Sequence, residues 1–190
     1  DIEQIFADEA ALDVSENFDI DAAVDNIKEP RTQAGDVYQL GKHRLMCGDA
    51  THTAAVERLM AGQHAGMIFT DPPYNVDYEG KTDKKLKIAN DAFTTPEAFA
   101  AFLNSVANNY AAVARPGAAL YVCHSDIERP AFAAAFEKAG FEIRQIIIWC
   151  KDQFVLSRQD YHRQHEPMLY GWRAGAAHYY AGGRTQSTLW

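Results

Sequence analysis

The run AGMIFT (Ala65–Thr70) is followed directly by DPPY (Asp71–Tyr74). Six largely apolar residues are enough for a buried strand, whereas two adjacent prolines have no backbone N–H to donate and cannot continue a central strand. From average residue usage, Asp-Pro-Pro-Tyr is expected by chance in roughly one chain in a thousand of this length. The stretch therefore predicts a strand whose carboxyl end carries a rigid, chemically distinctive turn.

Outward from this stretch, strand-like and helix-like segments alternate. Strands are predicted at Val37–Leu40, His43–Cys47, Ala65–Thr70, Ala118–His124, Glu142–Cys150 and His165–Trp172, and helices at His52–Ala61, Pro96–Ala114 and Ile127–Ala139. Loops are predicted at Asn75–Thr95 and 151–164, and the last strand is expected to pair with Ala177–Tyr180 through a turn at Ala174-Gly175. The alternation predicts an α/β fold with a largely parallel sheet flanked by helices, and ligands bind such sheets at the carboxyl ends of the strands.

The negative charge of the chain is concentrated at its start. Residues 1–29 contain ten acidic residues and one basic residue, so the rest of the chain has a net charge of +1 although the total is −8. We therefore expect residues 1–34 to be an acidic leader or linker and residues 35–190 to form the folded domain. A nearly neutral domain can still bind phosphates if its basic residues are clustered.

Several classes of protein are disfavoured by the sequence. The apolar runs are too short to span a membrane, and no signal peptide opens the chain. The chain has three widely separated cysteines, Cys47, Cys123 and Cys150. An odd count with no C-x-x-C pair argues against a disulfide framework and a structural zinc site, so we expect buried free thiols in a reducing cytoplasm. No metal site is predicted, because His162 and His165 do not form the helical H-E-x-x-H pattern.

The Asp71–Tyr74 tetrapeptide is identical to the catalytic D-P-P-Y motif of amino-group DNA methyltransferases, and residues 35–190 resemble that family. Gly48-Asp49-Ala50 resembles the family's short element that contacts the cofactor adenine. Trp149-Cys150-Lys151 and His165–Tyr170 resemble strands that complete the catalytic subdomain. The leader together with Gly35–Thr51 resembles phage and prophage members.

The resemblance implies a partial Rossmann-like, S-adenosylmethionine-dependent methyltransferase fold in the cytoplasm, in a phage or restriction–modification setting, with dimerisation left open. Asp49, Ala50 and Asp71 would contact the cofactor, and Asp71, Pro72, Pro73 and Tyr74 would form the catalytic turn. The partner would be double-stranded DNA with a flipped target base, because a base inside a duplex is out of reach.

The chemistry of amino-group methylation explains these residue types. The amine is a poor nucleophile because its lone pair is delocalised into the ring. Two acceptors, the Asp71 carboxylate and the Pro72 carbonyl, would favour a more tetrahedral nitrogen. Tyr74 offers an aromatic face on which the base can stack. By resemblance, Asp at the first motif position favours adenine, whereas Ser is more usual for cytosine and Asn for glutamine side chains or RNA.

Basic residues in two predicted loops are candidates for DNA phosphate contacts. The first group follows the motif and the second lies in the 151–164 loop; the candidates are Lys81, Lys84, Lys85, Lys87, Arg158 and Arg163. A solvated lysine loop is about as good an interpretation for the first group. Ordinary surface arginines are a slightly better interpretation for the second.

The family's glycine-rich F-x-G-x-G-like cofactor loop cannot be found in the sequence. In a permuted class of the family the catalytic strands precede that loop, and this motif order fits. We therefore expect the cofactor half to follow in a longer polypeptide, with an exposed sheet edge here and weak cofactor binding by this chain alone. A cytosine-amine methyltransferase and a non-catalytic DNA-binding module that keeps a degenerate methyltransferase half remain open alternatives.

Overall fold

The computed structural model describes residues 22, 26–29, 31–80, 85, 87–156 and 160–190. Most of the expected acidic leader therefore lies outside the described residues. The first two strands of the described chain, β1 (Val37–Leu40) and β2 (His43–Met46), form a hairpin that turns at Gly41, a glycine in the left-handed region with φ of 59°. Helix α1 (Thr53–Met60) follows. These three elements confirm the predicted order of the segment.

A four-stranded sheet forms the centre of the molecule. Its strands are β3 (Ala65–Thr70), β4 (Ala114–Cys123), β5 (Phe141–Val155) and β6 (Arg163–Arg173), in the spatial order β3-β4-β6-β5. β3 and β4 are parallel, and β6 is antiparallel to both of its neighbours. β3, β4 and β5 thus run in the same direction, as a largely parallel sheet requires, and their carboxyl ends meet at one edge.

Two helices cover one face of this sheet. α2 spans Pro96–Val113, with proline at its first position as predicted. Thr95 caps its N-terminus, because the Thr95 hydroxyl accepts a hydrogen bond from the Ala98 N–H at 3.2 Å. α3 is Arg129–Lys138. The core between helices and sheet is made of fully buried side chains: Phe99, Leu103, Leu120, Val122, Phe132, Phe136 and Leu169. No helix in the described ranges is long and apolar enough to cross a bilayer.

Three local predictions were wrong. β4 begins at Ala114, directly after α2, whereas a strand was predicted only from Ala118. β5 continues through Lys151–Val155, which was predicted to be loop, because the end of the strand pairs with β6. Ala177–Tyr180 is not a strand, since β6 already pairs with β4 and β5 on its two sides.

The segment that ends the described chain returns to the outer edge of β5. The Ile148 N–H donates to the Thr188 carbonyl at 2.8 Å, and the Trp190 N–H donates to the Ile148 carbonyl at 2.9 Å. Leu189 and Ile148 form a parallel bridge. A short strand-like segment thus occupies part of this edge, whereas β3 has no strand beside it on its other side among the described residues.

Candidate active site

The Asp71–Tyr74 turn lies at the carboxyl end of β3, as the sequence predicts. Pro72 is buried and Asp71 is exposed. The Tyr74 hydroxyl turns back and donates a hydrogen bond to Asp71 Oδ1 at 2.6 Å, while its ring meets the Phe132 ring edge-on, with the centroids 6.3 Å apart. The turn therefore presents a carboxylate to solvent and ties an aromatic ring to the core.

The groups beside the turn are held in their neutral forms. Burial, followed by the hydrogen bond to Asp71, raises the pKa of the Tyr74 phenol far above its ordinary value. Burial, with the charges of Asp71 and Glu166, raises the pKa of the Cys123 thiol to about 11. Because the thiolate is the nucleophilic form, Cys123 is unsuited to covalent catalysis at neutral pH.

A second polar segment, Gly48–Thr51, approaches the turn from the other side. Asp49 Oδ1 accepts hydrogen bonds from the Thr51 N–H at 2.8 Å and from its hydroxyl at 2.7 Å. These two bonds lower the pKa of the Asp49 carboxyl, so that it is ionised at neutral pH. The segment thus holds a carboxylate with one oxygen committed to Thr51.

Asn109, on α2, fixes this segment to the domain. Its side-chain amide donates to the Ala50 carbonyl at 2.8 Å, and its amide oxygen accepts from the Thr53 hydroxyl at 2.7 Å. Asn109 is 5% exposed, so each of these bonds satisfies a group with little access to water. Sequence reasoning missed this residue, although a polar side chain within the mostly apolar C-terminal part of a helix is a signal that could have found it.

Two cavities flank the turn. The first cavity, of about 520 Å³, brings the predicted cofactor-contacting residues together with the first three residues of the motif; it is lined among others by Asp49, Ala50, Thr51, Asp71, Pro72 and Pro73. The second cavity, of about 490 Å³, is lined among others by Tyr74, Asn75, Ser125, Glu128, Arg163 and Glu166. The D-P-P-Y turn therefore lies between two spaces, each of a size typical of small-molecule sites.

The described residues on the two sides of the loop after the motif, 75–80 and 87–95, are joined by hydrogen bonds. The Asp91 carboxylate, 2% exposed, accepts from the Val76 N–H at 3.3 Å and from the Tyr78 N–H at 2.7 Å. Asn75 has φ of 60°, and its amide oxygen accepts from the Phe93 N–H at 2.7 Å. Asp91 was not identified from the sequence, where it is one acid among several in a polar stretch.

Only part of the predicted phosphate-contacting set can be placed. Lys81, Lys84 and Arg158 lie outside the described residues. Lys87 is 3.4 Å from Asp77, and Lys85 is 3.7 Å from Glu79, so acids of the same loop partly compensate these two lysines. Arg163 borders the second cavity and is 3.8 Å from Asp126. Among the three described members of this set, Arg163 is the one that lines a cavity together with Tyr74 of the turn.

A close ion pair joins β5 and β6. It connects the two segments that resemble strands of the family's catalytic subdomain, Trp149-Cys150-Lys151 and His165–Tyr170. Lys151 Nζ lies 2.6 Å from Glu166 Oε1, and both side chains are about three-quarters buried, with 28% and 27% of their surface exposed.

The three cysteines are all free, and only Cys123 is buried. The expectation of buried thiols was therefore wrong for Cys47 and Cys150.

Comparison with known proteins agrees with this arrangement. Residues 65–187 match the family model described as DNA methylase, which covers amino-group methyltransferases. The M1.HpyAVI–SAM complex is 18% identical with a TM-score of 0.50, and the match covers 70% of this chain and 56% of that one. A putative DNA modification methylase from Thermus thermophilus, complexed with S-adenosyl-L-methionine, is 18% identical with a TM-score of 0.42, covering 66% and 54%.

No curated protein matches the chain. The first of these structural matches shows the methyltransferase fold, and the chain spans only about half the length of each solved relative. The family model, in contrast, covers well over half of the chain and includes the D-P-P-Y turn, β4, β5 and β6. The chain therefore belongs to the DNA methylase family of amino-group methyltransferases.

Proposed function

We propose that this chain is the catalytic part of a DNA methyltransferase that transfers a methyl group from S-adenosylmethionine to the exocyclic amine of a flipped adenine. The observation that carries the proposal is the position of the D-P-P-Y turn between two cavities. Asp71, Pro72 and Pro73 border the first, and Tyr74 borders the second. Such a position suits a reaction in which the methyl donor binds on one side of the turn and the target base binds on the other.

The residues of the first cavity fit S-adenosylmethionine, the cofactor named for both solved relatives. Asp49 is ionised and has one oxygen beyond those bonds to Thr51, so it can accept from a donor such as an amine or hydroxyl of the ligand. Ala50 and Asp71 border the same space. When bound, the cofactor supplies an electrophilic methyl group on a sulfonium centre.

Asp71 and Pro72 act on the target amine. The Asp71 carboxylate and the Pro72 carbonyl accept its two hydrogens, which localises the nitrogen lone pair and stabilises the positive charge that develops during direct transfer. Proline fixes its own φ and so keeps the carbonyl directed. Asp71 does not need to act as a strong base, because the proton can leave after the methyl group has been transferred.

Tyr74 already lines the second cavity and holds a hydrogen bond to Asp71, so it can contact both the base and the carboxylate. Its ring can stack on the base, a contact worth about 1–3 kcal/mol. Its hydroxyl, however, now occupies one acceptor site on Asp71. Because a carboxylate has further acceptor sites, the amine of the base can bind Asp71 at another site or exchange with the phenol donor at the same one. The neutral phenol keeps this exchange free of any change in net charge.

Adenine is preferred over cytosine on the identity of the first motif residue, Asp71. A cytosine-amine methyltransferase would use the same acceptors and the same stacking ring. The second alternative is a non-catalytic DNA-binding module that keeps a degenerate methyltransferase half. It is favoured by one feature of the sequence: residues 35–190 lack the family's glycine-rich cofactor loop. We propose that this loop is supplied elsewhere in a longer cytoplasmic protein, after the catalytic strands, and that double-stranded DNA is its substrate.

A methyl-transfer assay on unmethylated DNA with labelled S-adenosylmethionine tests the proposal. It compares the full-length protein, this chain alone, and the full-length protein with Asp71→Ala, followed by nucleoside analysis. We expect methyl-adenine from the full-length protein, and a loss of at least about a hundredfold in Asp71→Ala. Glu137→Ala, which removes an exposed carboxylate from α3, serves as the control and should keep full activity.

The other outcomes separate the alternatives. Methyl-cytosine would keep the mechanism and change the substrate. DNA binding without transfer from any version would favour the non-catalytic module. Full activity of the 190-residue chain alone would disprove the need for a further cofactor-binding part.

A further inference from the structure

The Lys151–Glu166 ion pair differs from the other ion pairs of the described chain in place and burial. Lys87 and Asp77, for comparison, are 59% and 66% exposed and 3.4 Å apart. Lys151 and Glu166 are less than one-third exposed and 2.6 Å apart. Lys151 Nζ also lies 5.5 Å from the centre of the Trp149 ring, within the range of a cation–π contact. Ordering two long side chains this tightly has an entropic cost that a surface pair rarely recovers.

The sheet register places this pair beside the catalytic turn. Glu166 lies opposite Trp149 on β5, and it shares a face of β6 with Met168, which lies opposite Cys123. Cys123 and Tyr74 belong to the same apolar cluster. Glu166 and Tyr74 line the second cavity together. The carboxylate thus borders the space on the Tyr74 side of the turn.

The charges of Asp71 and Glu166 act on the same two groups. Each of them contributes to the raised pKa of Tyr74 and of Cys123. Tyr74 donates a hydrogen bond to Asp71 at 2.6 Å and lines the second cavity together with Glu166, so a negative charge on Glu166 disfavours a second negative charge on Asp71. A protonated Asp71 would lose an acceptor for the target amine. The Lys151 ammonium group offsets the negative charge of Glu166 and so reduces its repulsion of the Asp71 carboxylate.

We propose that the Lys151–Glu166 ion pair is a positioning element of the methyl-transfer site, in which Lys151 compensates Glu166 and leaves Asp71 as the carboxylate available to the target amine. The inference rests on the proposed function.

The neighbouring elements carry other titratable or charged groups. They are Asp71 and Tyr74 on the turn, Cys123 and His124 at the end of β4, Asp126, Glu128 and Arg129 before and at the start of α3, and Arg163 and His165 on β6.

The test is the pH dependence of kcat in the full-length protein. Lys151→Met leaves Glu166 uncompensated, so the acid limb of the profile should move to higher pH by about one unit, with little change at the plateau. Glu166→Gln leaves the ammonium uncompensated. Its acid limb should move to lower pH, and its plateau should fall about tenfold because a cation opposes the charge that develops on the amine. The double variant should return towards the unmodified profile.

Controls separate positioning from a structural role. Glu142→Gln, which breaks the exposed pair of Glu142 with Arg144 on the same strand, should leave the profile unchanged. Lys151→Arg keeps the charge and should keep the acid limb. If Lys151→Met fails to fold, the downward shift expected for Glu166→Gln still tests the inference. Thermal unfolding of each variant reports whether it is folded.

Two results would overturn the inference without touching the proposed function. One is that both single variants shift the acid limb in the same direction or not at all while the unmodified protein transfers methyl groups. The other is that the double variant is no closer to the unmodified profile than the single variants. If the unmodified full-length protein transfers no methyl group to DNA, the proposed function fails and the inference fails with it.

Discussion

The two faces of the four-stranded sheet are packed to very different degrees. On the face covered by α2 and α3, Leu120, Val122 and Leu169 are fully buried. On the opposite face, Met67 and Phe69 of β3 are 59% and 58% exposed. Both faces carry large apolar side chains, so the difference comes from what packs on them.

This difference shows which face of the sheet has a complete hydrophobic core within the described chain. The helix face is a finished core with interlocking aromatic rings. The opposite face is buried only at its centre, around Met168 and Tyr170, and becomes exposed towards β3. Adjacent apolar side chains on an edge strand are typical of a surface that another part of a protein covers. The site lies where the two faces meet, at the carboxyl ends of the strands.

The largest expected effect is on the helix face. Phe132→Ala removes a fully buried ring from between α3 and the sheet, and it should reduce the free energy of unfolding by about 3–5 kcal/mol. Urea unfolding of this chain, followed by circular dichroism, measures the change. A loss below about 1 kcal/mol would mean that the core is much looser than the packing indicates.

A somewhat smaller effect is expected where β5 and β6 come closest. A Cβ at Gly171 would collide with the backbone carbonyl of Glu142, so Gly171→Ala should force the strands apart and cost about 1–3 kcal/mol. Gly183→Ala is the matched control, because its nearest neighbour, the Thr185 hydroxyl, is at an ordinary 3.8 Å. Equal stability of the two variants would contradict the close approach.

The helix face has one polar exception whose effect depends on pH. His124 is 1% exposed and its Nε2 has no hydrogen-bond partner among the described residues; burial lowers the pKa of its imidazole from the ordinary 6.5. Below about pH 6.5 the unfolded state binds a proton that the folded state does not, so stability should fall as the pH drops towards the folded pKa, by up to about 1.4 kcal/mol per unit.

Urea unfolding at a series of pH values, with His124→Phe, checks this expectation. The substitution should flatten the loss of stability just below about pH 6.5, because it removes the group that binds the extra proton on unfolding. His64→Gln, at an exposed position, should keep the original slope. The same slope in His124→Phe as in the unmodified chain would rule out His124 as the cause.

The smallest effect is expected on the opposite face. Phe69→Ala removes a ring of the same size as that of Phe132, but one that is 58% exposed and stacked on Tyr121 with centroids 6.0 Å apart. In this chain it should cost about 0.5 kcal/mol. In the full-length protein the loss should be larger if a further part covers β3. Equal, large losses for Phe69→Ala and Phe132→Ala in this chain would erase the contrast between the faces.

Local sequence patterns were sufficient for most of the fold. The apolar run Ala65–Thr70, the Thr95-Pro96 start of α2 and the largely parallel sheet are confirmed. Lys151–Val155 was missed because this strand end is polar, and only its pairing with β6 makes it a strand. The predicted partner of β6 was wrong for a related reason. The local turn at Ala174-Gly175 suggested a hairpin with Ala177–Tyr180, whereas β4 and β5, both earlier in the sequence, pair with the two sides of β6.

For the candidate site, the sequence predicted a set of residues but not the contacts between them. Asp49, Ala50 and Asp71 border one cavity, although they come from two separate segments of the chain. The bond from Tyr74 to Asp71 and the pair of Lys151 with Glu166 depend on how strands pack, and no spacing in the sequence encodes them. The roles of the catalytic and DNA-contacting residues stay predictions until the variants are measured.

The segment Thr188–Trp190 has a consequence for self-association. It occupies part of the outer edge of β5 with backbone hydrogen bonds, and among the described residues no strand pairs with the other edge strand of this sheet, β3. Strand addition to this sheet is therefore expected at one edge rather than two. If two copies joined through β3, each would use up its open edge, and growth would stop at a pair instead of continuing into a fibre.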